Sequence, residues 1–147
     1  MRARFLALAA VLIVLGASAS PARADEKVWS GLVLATNVAH PAPPPPEVRR
    51  LRDTLQRTFG YNQFELIGQA QQALSTGEEN WAARSKHFSL HVDSRGATPD
   101  GYRLKLQLYQ DRQTLLETDA TLSKSSPLVI KGPLIGAGQL LLLLVVQ

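Results

Sequence analysis

His87, Ser89, His91 and Asp93 alternate with Phe88, Leu90 and Val92. On a β-strand this spacing sets all four polar side chains on one face. Such residue types serve metal ligation and proton transfer, but the spacing works against a shared ion. At ~3.3 Å per residue the two histidines lie ~13 Å apart, whereas His91 and Asp93, ~6.6 Å apart, would need a third ligand from elsewhere. A solvated strand face is the simpler expectation, and neither a metal nor a cofactor is expected.

The other chemical candidates are weaker. Glu78 and Glu79 adjoin Asn80 and Trp81, but neighbouring carboxylates rarely converge on one glycosidic bond. Gly132, Gly136 and Gly138 precede no Lys-Ser/Thr and lead into a strand, unlike a phosphate-cradling loop. No serine sits in a nucleophile elbow. No catalytic residue is assigned on this basis. Trp81 and Tyr61 are the aromatic residues best suited to a small-ligand or carbohydrate site. Glu78, Glu79, His91 and Asp93 would be the residues of a small hydrolase.

The elements that position these residues centre on 88–122, a run of strands joined by short polar connections. Leu104, Leu106 and Leu108 alternate with Arg103, Lys105 and Gln107, and Leu116, Ala120 and Leu122 with Glu117, Asp119 and Thr121. This is an antiparallel pattern with one face packed and one wet. Arg103 and Lys105 are expected to lie beside Glu117 and Asp119 as cross-strand pairs. Residues 93–101 read as a turn, and 75–86 as a loop.

Upstream, 27–36 reads as a strand covered on both faces, because its apolar density exceeds strict alternation. The proline-rich crossover at 41–46 cannot enter a sheet. Val48, Leu51, Leu55 and Phe59 draw one stripe down a helix over 47–59, with Pro46 suited to its first turn and Gly60 to its C-cap. Residues 61–74 favour a strand. At the other end 127–131 reads as a short strand. Leu140 to Val146 are seven uninterrupted apolar residues, too few to span a membrane as a helix and suited to a strand buried on both faces. Leu140, Leu142, Leu144 and Val146 form one side of that strand. They are the candidate interface for a protein partner or for self-association.

Residues 1–24 have the pattern of a cleavable secretory signal peptide. Arg2 and Arg4 precede an apolar core, and Ala22-Arg23-Ala24 is a small-x-small site. Cleavage there would remove three of sixteen basic residues and no acidic one, leaving thirteen against twelve. The resulting near-neutral chain, without a basic–aromatic stripe, argues against nucleic-acid binding. The absence of cysteine excludes disulfides, thiolate chemistry and lipoprotein acylation.

The expected organisation is a signal peptide over 1–24 and a single domain over 25–147, periplasmic or secreted, with no transmembrane segment after cleavage. The expected fold is α+β: a single antiparallel sheet of about six or seven strands with one principal helix packed on one face. The expected function is an exported, non-catalytic interaction module, of the kind that serves as an accessory or assembly component of a bacterial cell envelope. The alternative is a small-ligand or carbohydrate-binding domain, and a small hydrolase is the third reading.

Overall fold

The computed structural model describes residues 26–147. The expected signal peptide lies outside the described residues. The strands are β1 (Glu26–Thr36), β2 (Gln63–Leu74), β3 (Asn80–Arg84), β4 (Phe88–Thr98), β5 (Gly101–Gln110), β6 (Gln113–Ser123), β7 (Leu128–Ile135) and β8 (Gly138–Val146). One helix, α1 (Arg52–Phe59), follows the crossover. All neighbouring strands are antiparallel, in the order β6-β5-β4-β3-β2-β1-β8-β7. The chain thus runs up and down through eight strands and returns to pair β8 with β1, Val28 opposite Val146 and Ala35 opposite Gln139. β6 and β7 approach each other without a hydrogen-bonded ladder. The result is a nearly closed barrel.

This overturns the expected α+β fold. The sheet has eight strands instead of six or seven, and it curls on itself to enclose a core that no helix is needed to cover. Its interior is filled by fully buried side chains from around the ring, Leu32, Leu90, Leu104, Leu106, Leu108 and Leu142 among them. An eight-stranded barrel has an interior just wide enough for such filling. The period-two leucines of β5 therefore point to the barrel axis.

The helix is shorter than its apolar stripe. Residues 46–51 form tight turns, with Val48 N–H donating to the Pro45 carbonyl and Leu51 N–H to the Val48 carbonyl. Arg49, Arg50 and Arg52 crowd the positive end of the helix dipole, and Leu51 supplies no side-chain cap, so the first turns do not become α-helical. Gly60 closes α1 with φ of 78°, as its type allows. The stripe itself is kept. Val48 and Leu55 pack with Trp29, Val33, Leu141 and Leu143 on the outside of the barrel. That patch explains why β1 and β8 are buried on both faces.

Two segments expected as connections are strands. Within 75–86 lies β3, which pairs with β4 from Asn80 opposite Asp93 to Arg84 opposite Ser89. Within 93–101, β4 runs on to Thr98 past a bulge between Ser94 and Gly96. A bulge lets a strand keep its partner while bending, so breakers such as Gly96 need not end it.

Candidate functional site

The outward face of β3 to β6 is polar. In register across it lie Asn80, Asp93, Lys105 and Asp119, and beside them Ala82, His91, Gln107 and Glu117. A charged exterior around an apolar interior is the reverse of a lipid-facing barrel, so this face is built for water. The expected charge pairing is present at Lys105, which stands opposite Asp119 with its Nζ 3.0 Å from Glu117 Oε1, whereas Arg103 stands opposite Thr121. Lys105 holds the Glu117 carboxyl below its usual range, by the hydrogen bond first and by charge second.

On this face His91 packs edge-on against the Tyr109 ring, centroids 5.0 Å apart. Asp93 pairs instead with Arg95 at 3.2 Å, and exposed His87 lies 3.6 Å from Asp111. Each member of the alternating quartet that carries a titratable group therefore has a different neighbour. Among the described residues no cluster of three His, Cys, Asp or Glu side chains could hold a metal ion.

Glu79 belongs to the β2–β3 connection. Its Oε1 accepts from the Ser75 and Thr76 N–H groups at 2.9 and 2.8 Å and from both hydroxyls, and Oε2 accepts from Gly77 N–H at 3.1 Å. The Thr76 N–H bond does most to hold the carboxyl down to about 2, against burial, which raises it. The carboxylate is a loop clamp. Because its folded pKa is depressed, its stabilisation is present above the unfolded value near 4.5 and is lost as pH falls toward 2. Glu79→Gln is expected to lower stability by about 1 kcal/mol at pH 7 after allowance for solvent screening. Urea melts from pH 6 to 2 should show the difference from wild type vanish at the acid end; a constant offset would remove the clamp's charge from the explanation.

The two aromatic candidates lie on opposite sides of the sheet. Trp81 packs against the interior cluster and its Nε1–H donates to Ser30 Oγ at 2.9 Å. Tyr61 packs in the outer cluster and its hydroxyl donates to Gln139 Oε1 at 3.4 Å. They do not share a site. Leu140, Leu142 and Leu144 are fully buried in the barrel interior, with partly buried Val146 packed against the same cluster.

What the topology leaves open is the seam between β6 and β7. On one lip Leu116 and Ala120, and on the other Leu128, Ile130 and Ile135, pack against the interior cluster while remaining partly exposed. At the end where the β6–β7 connection begins, Lys124 Nζ lies 2.7 Å from Glu26 Oε1 and over the Tyr102 ring. The Tyr102 hydroxyl is pushed above its usual range, by burial first and then by Glu26. This contact ties β1, β5 and the connection together. No family model, curated protein or solved structure matches the chain.

A second feature lies outside the barrel. A groove of about 610 Å³ runs beside the turns that lead into α1, bordered by Trp29, Pro46, Arg50, Leu51, Val145 and Val146. Sequence reasoning missed both the seam and this groove. The only available signal for the seam was the pair of strands flanking the 124–127 connection, and nothing local distinguishes a turn between paired strands from one between unpaired strands.

Proposed function

We propose that this protein is an exported, non-catalytic module that binds another protein chain, an accessory or assembly component of the bacterial envelope. The carrying observation is the seam: in a sheet otherwise hydrogen-bonded around a ring, β6 and β7 each keep one edge without a strand partner among the described residues. Backbone N–H and C=O groups along such an edge are a template for an added strand. The filled interior supports binding at the rim or edge in preference to binding inside the barrel. Export is supported by the leader pattern of residues 1–24.

The test is a photo-crosslinking residue placed at Thr121, on the outward face of β6, in the producing cell, with the same residue at Arg57 on α1 as control. The expected result is a discrete heavier adduct from Thr121 alone, its second chain identified by mass spectrometry. Equal labelling from both positions, or none from Thr121, would sink the reading.

A further inference from the structure

The two lips of the seam are not equivalent. β7 is blunted by a register shift between Lys131 and Leu134, where Pro133 has no N–H to offer and the Gln139 amide already donates to the Gly132 carbonyl at 2.6 Å. β6 is different. From Leu116 to Leu122 it keeps an unbroken register with β5 and contains neither glycine nor proline. Alternate residues along it therefore turn N–H and C=O groups toward the seam.

The side chains on this edge state what would fit. Facing inward, Thr118 and Ala120 stand opposite Leu106 and Leu104; they are small, and Leu128 and Ile130 on the far lip are only partly covered. Large aliphatic groups from an incoming strand would complete that layer. Facing outward are Glu117 and Asp119. Lys105 lies on their β5 side, and β6 itself carries no basic residue. Opposite charges across neighbouring strands stabilise, and like charges directly opposite destabilise.

We propose that the β6 edge takes up an extended segment of a partner protein in which aliphatic residues alternate with lysine or arginine, added as a further strand in the seam. The proposal rests on the protein-binding reading above and specifies the partner's chemistry. The same carboxylates disfavour a second copy of this chain, because antiparallel pairing of two β6 edges about Thr118 sets Glu117 against the other copy's Asp119.

The probes are two synthetic peptides of about seven residues, one alternating lysine with valine and the other glutamate with valine. Each is titrated by fluorescence anisotropy into the protein purified from the producing cell. The lysine peptide is expected to bind about tenfold more tightly, with amide shifts running along residues 116–122. The double variant Glu117→Lys/Asp119→Lys should reverse the order. The isosteric Glu117→Gln/Asp119→Asn should bring the ratio close to one, which keeps the test decisive if charge reversal prevents folding. Equal binding of both peptides, binding of neither, a ratio unmoved by the isosteric variant, or shifts confined to the groove beside Trp29 would overturn the proposal. So would wild-type self-association through β6. An adduct at Thr121 with failed peptide discrimination removes the basic–aliphatic chemistry alone; loss of the adduct removes the protein-binding reading with it.

Discussion

Leu142→Ala is expected to lower the unfolding free energy by about 3–4 kcal/mol, among the largest effects of any single truncation in this barrel. Leu142 is fully buried at the middle of β8, flanked in register by Leu32 on β1 and Ile130 on β7. The β8 backbone is held on both sides by its ladders to β1 and β7, and β1 in turn by β2. The backbone therefore cannot close over the void left by the missing methyl groups, and the cavity cost adds to the lost transfer energy. The fall in melting temperature should be on the order of 10 °C. Leu134→Ala is the control: that side chain is 71% exposed, and its loss should change stability by less than about 0.5 kcal/mol. The pair of variants also decides what the C-terminal strand does. Unchanged stability with altered association in Leu142→Ala would assign Leu142 to an interface; a fall in stability at constant mass assigns it to the core.

Gly101→Ala is expected to be comparably severe, for a steric reason. A Cβ at Gly101 would stand 1.8 Å from the Leu122 carbonyl oxygen and 2.8 Å from its carbon. Both atoms are main chain, so no rotamer change relieves the clash. The strands must part where Gly101 faces Ser123, beside the turn that joins β4 to β5. That separation should cost about 3 kcal/mol or more and should speed amide exchange at Leu122 and Ser123. Wild-type exchange in a folded Gly101→Ala protein would show that β5 and β6 do not approach this closely. Tyr102 lies next along the chain and touches the Lys124–Glu26 pair, so the same variant should loosen the end of the barrel at which the seam begins.

The outward triplet Arg103, Lys105 and Gln107 could be read against Glu117 and Asp119 before any fold was known, because the side-chain alternation of a strand is local and neighbouring strands in a meander share a register set by a short turn. The helix stripe Val48, Leu51, Leu55 and Phe59 was legible for the same reason. The helix's true start was not, since the repulsion among Arg49, Arg50 and Arg52 acts on the dipole of a helix that must first exist. β3 escaped because Asn80-Trp81-Ala82-Ala83-Arg84 has too few apolar residues to show a period; it is a strand because β4 lies beside it. Trp81 looked like a loop aromatic open to a ligand, yet its indole is committed to Ser30 on β1, two strands away. Glu79 looked like half of a carboxylate pair, whereas its acceptors are filled by its own loop.

By itself the sequence determined which residues of β5 and β6 alternate, where the helix ends, that its stripe makes one apolar face and that β8 is apolar on both. These follow from backbone periodicity and from glycine and proline chemistry, which act over a few residues. Only the tertiary structure decided that the sheet closes on itself, that β1 meets β8, that the leucines of β5 face an enclosed axis and that β6 and β7 stop short of pairing. Those outcomes depend on accumulated strand twist and on contacts between residues as distant as Val28 and Val146. No local pattern carries that information, so the site proposed at the seam exists only once the ring has formed.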